Sequence, residues 1–373
     1  MIINSNKSLL LNLESHISDK LPIPVNISNL WNFGRCLGLF LTLQAITGLL
    51  LASHYTADTN LAFDRIVSLS RDTSWGGILR VAHLNGASIY FIFLYVHISR
   101  GLYYGSYSYT ITWFTGFIIL ILSIMVAFLG YVLPWGQIRY WGATVITNLI
   151  SAIPVVGSEV VRWVWGGFRI SNATLTRFFI IHFCAPIIIV GIVGIHVFFL
   201  HKTGSQNPSN IIRKYNILRF HPFFVIKDAM FFFIVFLSFE ILVFLDPYLL
   251  GDPENFSIAN IISTPEHIVP EWYFLFAYAI LRCVPRKGLG VIGILISVSI
   301  ILVPMFIIIQ KNLTFRNRKG FRHIIQTVMW NFFGIVIILT WLGGQIVRAP
   351  FVVIRQIIFI LYLLNFLIMS FRL

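Results

Sequence analysis

Long apolar runs alternate with short polar stretches along the chain, and eight of the runs are long enough to cross a bilayer as helices. They predict spans near 31–52, 76–100, 111–133, 177–200, 229–246, 289–309, 323–342 and 351–370. Short connections make every other one return to the same side. The expected fold is all-α and polytopic, with eight transmembrane helices of which the first four form a bundle. Ahead of the first span, Leu9, Leu10, Leu13 and Ile17 suggest a short amphipathic surface helix that ends at the Pro22/Pro24 break. The loops at 201–228 and 247–288 suggest a front region, residues 1–225, and a rear region, residues 226–373.

Composition agrees with this class. At 58% hydrophobic and 11% charged residues, the 373-residue chain has too little polar surface for a soluble globule. A net charge of +14 would point to nucleic acid in a soluble protein, but here the cations sort by loop. Lys7, Lys20, Arg100, Lys202, Arg213, Lys214, Arg219, Lys227, Lys311, Arg316, Arg318, Lys319 and Arg322 fall on the side of the N-terminus. The opposite loops carry Asp58, Asp64, Asp72, Asp246, Asp252, Glu254, Glu266 and Glu271. No nucleic-acid partner is expected, and both termini should face the cytoplasm, or the matrix of a mitochondrion. Cys36, Cys184 and Cys283 show no paired spacing and read as packing residues.

Two histidine pairs share one spacing: His83 with His97 in the second run, and His182 with His196 in the fourth, fourteen residues apart in both cases. Fourteen residues come within about 40° of whole helical turns, so each pair shares a face, separated by about 21 Å along the axis. Two such helices side by side would hold two haems, one above the other. Both spans enter from the outer face, which pairs His83 with His182 on the outer side and His97 with His196 on the inner side. Two imidazoles per iron leave no open position, which favours electron transfer over oxygen chemistry.

Glycines repeat the same step in the first and third runs: Gly34 and Gly48, Gly116 and Gly130. Side chains missing at those depths would let flat macrocycles approach the backbone, although glycine is also common in transmembrane packing faces. Arg80, Arg100 and Arg177 lie near span ends, where they either pair with haem propionates or snorkel to the interface.

Several strings then carry a close resemblance: Gly101-Leu-Tyr-Tyr-Gly-Ser106, Gly130-Tyr-Val-Leu-Pro-Trp-Gly136, Trp141-Gly-Ala-Thr-Val-Ile-Thr-Asn148, Gly251-Asp-Pro253 and Pro270-Glu-Trp-Tyr273. With them, nearly the whole chain resembles the cytochrome b subunit of the respiratory cytochrome bc complex, complex III, in its mitochondrial or proteobacterial form. The resemblance implies two non-covalent b-type haems and two sites for quinone and quinol. It implies an outer quinol-oxidation site at Phe128, Tyr131, Gly142, Pro270, Glu271 and Tyr278, with Glu271 as proton acceptor. It implies an inner quinone-reduction site at His201, Ser205, Lys227 and Asp228. One electron from quinol would go to a Rieske iron-sulfur protein and a membrane-anchored c-type cytochrome, the other across the membrane through both haems. The implied setting is a homodimeric complex with further subunits and lipids, in the mitochondrial inner membrane or a bacterial plasma membrane. The chain would be the catalytic subunit, inactive in turnover alone.

Three residues depart from that pattern. Arg35 stands where the family often has a small serine, Arg139 replaces a small residue before Trp141, and Glu240 interrupts the fifth run. Two rival readings are a proton-relaying transporter and a two-haem anchor of a dehydrogenase. The first predicts broken helices at the midplane of corresponding spans, and the second has no use for the Pro-Glu-Trp-Tyr loop.

Overall fold

The computed structural model describes residues 21–209, 216–310 and 322–372, without the side chains of 322–325 and 369–372. The amphipathic helix expected at Leu9, Leu10, Leu13 and Ile17 lies outside the described residues. So do Lys7, Lys20, Arg213, Lys214, Lys311, Arg316, Arg318 and Lys319.

Among the described residues eight helices are long and apolar enough to cross a membrane: Asn29–Ala52, Gly76–Tyr104, Thr110–Val132, Asn172–Thr203, Phe220–Leu245, Lys287–Gln310, Gln326–Gly343 and Phe351–Ile368. All eight predicted spans are present. The second and fourth run beyond their apolar cores, because hydropathy marks the membrane crossing whereas capping marks the helix end. Ser171 opens the fourth in a reciprocal capping box with Thr174. Gly105 and Gly204, at φ 79° and 82°, close the second and fourth in a conformation that residues with a β-carbon rarely adopt.

Span one packs along span two and span three along span four, the two pairs forming the bundle. Midway, Tyr90 of span two and Ser123 of span three share a buried hydrogen bond of 2.9 Å. Span five lies against this bundle through Phe236 and Phe239, which meet the fully buried Phe40 of span one. The rear spans have their own core of Met329, Phe332, Leu339, Tyr362 and Phe366. There Arg355, fully buried at the start of span eight, donates to the carbonyls of Leu342, Gln345 and Ile346 at the end of span seven. A guanidinium in that place adds a charged donor where a helix C-terminus gathers carbonyl oxygens.

The end of the bundle where span one begins is here called proximal and the opposite end distal. At the proximal end Pro22–Pro24 pairs antiparallel with Ile217–Arg219, tying the segment before span one to the entry of span five. At the distal end lie the helices Ala62–Asp72, Gln137–Asn148 and Gly157–Trp165. The segment between spans five and six is pinned there by Gln137 N–H to Ser257 O (3.0 Å) and Ala259 N–H to Trp135 O (3.1 Å). It also contains the short helix Leu275–Arg282, where the sequence reading had only loop.

Three single residues complete the comparison with the sequence. Glu240 is exposed on the outward face of span five. Cys36 and Cys283 are buried packing residues, but Cys184 is exposed on span four, so for it the packing role is corrected.

Candidate functional site

The bundle brings the four histidines together in pairs across helices. The rings of His83 and His182 have centres 6.4 Å apart with planes at 83°, and those of His97 and His196 are 6.4 Å apart at 60°. Metal–nitrogen bonds of about 2.0–2.1 Å on both sides, with about 1.1 Å from nitrogen to ring centre, need ring centres about 6.3 Å apart. The pairs therefore fit one metal each. Two imidazoles facing each other across such a gap would hold a haem between them, which would supply one-electron transfer.

Each imidazole is held through Nδ1. The partners are Thr47 Oγ1 at His83 (2.9 Å), the Val126 carbonyl at His182 (2.9 Å) and Thr115 Oγ1 at His196 (3.1 Å). Such contacts leave Nε2 for a metal and fix the ring plane. At His97 the neighbour is a donor, Arg100 Nη2 at 3.2 Å. A metal at Nε2 would require that Nδ1 carry the proton and that Arg100 let go.

The four glycines face these rings. A β-carbon would lie 3.0 Å from Cε1 of His97 at Gly34, 3.0 Å from His83 at Gly48 and 3.1 Å from His196 at Gly116, and at Gly130 it would overlap the His182 ring. The missing side chains make room for the imidazoles of the neighbouring helix.

Toward the proximal end the His97/His196 pair opens into a cavity of about 780 Å³. Trp31, Arg35, Arg100, His201, Ser205, Gln206 and Phe220 line it as well. Two buried donors on its wall, Trp31 Nε1 and Arg100 Nε, lack a partner among the described residues. Of the predicted inner-site residues, His201 and Ser205 line the cavity but Lys227 and Asp228 do not. Lys227 donates to the Ile27 carbonyl at 2.7 Å. Asp228 is buried and pairs with Arg35, whose Nη1 stands 2.6 and 2.5 Å from its two oxygens.

The distal cavity is smaller, about 210 Å³, and is lined by Tyr131, Asp252, His267, Pro270, Glu271 and Trp272 among others. Its Pro-Glu-Trp-Tyr wall is fixed to span two. Trp272 Nε1 donates to Ser88 Oγ (3.2 Å), Tyr273 stacks on Phe91 with ring centres 4.3 Å apart, and Tyr95 donates to the Tyr273 carbonyl (2.6 Å). The aromatic anchors thus hold Glu271 at the cavity. Burial raises the Glu271 carboxyl to about 7, with Asp252 adding to the rise and the Arg139 guanidinium opposing it. Arg139 is itself buried, with Cζ 4.9 Å from the centre of the Tyr131 ring and Nε without a partner among the described residues. Tyr131 accepts a hydrogen bond from Asn255 Nδ2 at 3.1 Å.

Three predicted outer-site residues do not line this cavity. Phe128 packs on Phe178, ring centres 5.9 Å apart. Tyr278 donates to the Ile268 carbonyl (2.9 Å) beneath Arg282, and Gly142 lies in the distal helix Gln137–Asn148 with open space around it. Sequence reasoning missed His267, whose Nε2 lies 3.0 Å from the Gly344 carbonyl, and gave Asp252 of the Gly251-Asp-Pro253 string no place in the site. No periodicity marks either one. Of the three arginines, Arg100 faces a cavity, Arg80 donates to Ser70 Oγ (3.2 Å) and Arg177 is turned to the Trp163 carbonyl.

Comparison with known proteins adds to this geometry. The family model described as Cytochrome b/b6/petB matches residues 18–204, and the one described as Cytochrome b(C-terminal)/b6/petD matches residues 258–363. A solved structure described as "Hyperthermophilic respiratory Complex III" contains a chain 26% identical to this one, with a TM-score of 0.88 over 98% of this chain and 96% of that chain.

Proposed function

This chain belongs to the cytochrome b family, and from that premise we propose that it is the electron- and proton-transferring core of a quinol:cytochrome c oxidoreductase. It would oxidise quinol at one membrane face and reduce quinone at the other. The observation that carries this reading is the pair of histidine couples, each at 6.4 Å, stacked between a distal and a proximal cavity.

Residues 1–225 carry the four ligands: His83 and His182 for the outer b-type haem, His97 and His196 for the inner. When bound, the haems supply one-electron relay between the two faces. Arg100 and Trp31, with unused buried donors, are suited to hold propionates at the inner end. Residues 226–373 contribute the Pro-Glu-Trp-Tyr wall and Asp228.

At the distal, outer site a quinol gives up two electrons and two protons. Glu271 accepts one proton, as its raised proton affinity permits near neutrality, and Tyr131 positions the head group. The electrons part there, one to a Rieske iron-sulfur protein and a c-type cytochrome, the other inward. At the proximal, inner site two such electrons and two protons convert one quinone to quinol. His201 lines that cavity and donates one proton, while Asp228 stands behind Arg35. Release of protons outside and uptake inside build a gradient. The termini face the matrix, or the cytoplasm of a bacterium, and the partners include further complex subunits, lipids and a second copy of the chain.

The test is a reduced-minus-oxidised spectrum and a redox titration of the purified complex, with reduction driven by quinol. Two b-type components that both respond to quinol are expected. A spectrum without b-type bands, or one titrating component per chain, would overturn the reading.

A further inference from the structure

Arg35 is an unusual residue to find at the edge of the proximal cavity. It lies near the start of span one, and its guanidinium meets the start of span five, with Cζ 4.6 Å from the centre of the Phe220 ring. Its side chain keeps about a third of its surface accessible (33%), whereas that of the partner Asp228 keeps 7%. Arg35 lines the cavity with His201 and Ser205, and Asp228 does not. A single nitrogen, Nη1, meets both carboxylate oxygens, at 2.6 and 2.5 Å. Among the described residues no further hydrogen bond fixes Nη2 or Nε. The pair is therefore polarised in space: the anion is behind, and the cation, which has donors beyond Nη1, lines the cavity.

We infer that Asp228 acts on the inner quinone through Arg35, serving as the counter-ion that aims the guanidinium, and that Arg35 is the group which donates a hydrogen bond to a quinone carbonyl. This deepens the proposed inner site and rests on that reading. Three physical points support it. A carboxylate whose two oxygens are both taken by a cation has little left to offer a ligand. An arginine cannot lose its proton at accessible pH, so it binds and polarises a carbonyl without supplying a proton. A buried counter-ion fixes the direction of a fork that an unpaired, flexible side chain would not hold. Proton delivery then falls to His201 on the same wall, and Arg35 becomes a positioning and binding group for the head.

The experiment uses the intact complex in its membrane, with the inner b-type component reduced beforehand and its reoxidation followed after mixing with a short-chain benzoquinone. For Arg35→Ser the quinone concentration giving half-maximal rate should rise about 10- to 100-fold, the range for losing a charged hydrogen bond to a ligand. Asp228→Asn should cause a rise of similar size. The double variant should be no worse than the single ones, since the two residues act as one unit. Arg35→Lys keeps a cation beside Asp228 but loses the fork, and is expected to fall between wild type and Arg35→Ser with an unchanged inner spectrum. It also serves as the deciding variant if Arg35→Ser does not assemble. The inference is overturned if Asp228→Asn slows reoxidation while the assembled Arg35 variant leaves the quinone dependence unchanged, because Asp228 would then touch the quinone itself. If His201→Ala, Asp228→Asn and the Arg35 variants all leave reoxidation unchanged, the inner-site reading fails as a whole, and this inference with it.

Discussion

Gly130 of span three and the ring of His182 on span four occupy space that admits no third group: a β-carbon on Gly130 would overlap the imidazole. At Gly116, fourteen residues closer to the proximal end, the β-carbon would stand 3.1 Å from His196, a distance that a few tenths of an ångström of movement relieves. The two alanine variants should therefore differ. Gly130→Ala is expected to displace His182 and remove most of the outer b-type signal, while Gly116→Ala retains most of the inner one. Haem content and the reduced-minus-oxidised spectrum of the two complexes decide it, and equal losses would refute the graded clash.

Cross-helix pairing makes a second prediction. His97→Ala should delete the inner component and leave His83 and His182, with their contacts to Thr47 and Val126, in place. One component of the redox titration should vanish and the other keep its midpoint. Loss of both, or retention of both, would contradict the pairing.

Much of this was legible in the sequence because its signals are periodic. A fourteen-residue step is a statement about helix faces, and antiparallel spans turn it into depth, so the four histidines and four glycines could be set against each other without coordinates. What the glycines clear was not legible, since spacing gives depth but not which atom of the neighbour comes nearest. Loops were harder. Asp252, His267 and Glu271 meet because the segment after span five is pinned to Gln137 and Trp135, and nothing in its apolar pattern encodes that fold. Phe128 and Tyr278 were placed at the outer site by family resemblance, whereas their side chains are engaged by Phe178 and by the Ile268 carbonyl.

Arg355 supplies a test of the rear half. Methionine there removes four hydrogen bonds to carbonyls at the end of span seven, which among the described residues keep only Gln345 N–H at Leu342, Arg282 Nη1 at Gln345 and Arg348 N–H at Ile346. Net loss of about 1.5–3 kcal/mol is expected, the scale of hydrogen bonding by a charged group. Thermal denaturation of the complex should start earlier, while both b-type components keep their spectra, because spans seven and eight carry none of the ligands.

Glu271 predicts a pH dependence of defined sign. Its carboxyl is raised to about 7 chiefly by burial, so the proton-accepting carboxylate is populated above that pH and lost as pH falls through it. Pre-steady-state reduction of the outer component by quinol should therefore rise with pH along a one-proton curve centred near 7. Glu271→Gln should slow it by about 100-fold and flatten the curve, without loss of haem. An unchanged rate and profile would make Glu271 only a loop anchor.

Arg139 should move that curve. It is buried over Tyr131 and, among the described residues, is the cation that favours the Glu271 carboxylate against both burial and Asp252. Replacing it with glutamine removes the opposing charge, so the Glu271 carboxyl should rise further and the rate curve shift to more alkaline pH, by about one unit. Arg139→Lys, which keeps the charge, should shift it less. A merely structural Arg139 would lower the rate at every pH by one factor and leave the midpoint alone, and in the Glu271→Gln background neither Arg139 variant should show a midpoint to move. The same stopped-flow series across pH distinguishes these outcomes, and a midpoint that stays near 7 in Arg139→Gln would show that the guanidinium does not set the proton affinity of Glu271.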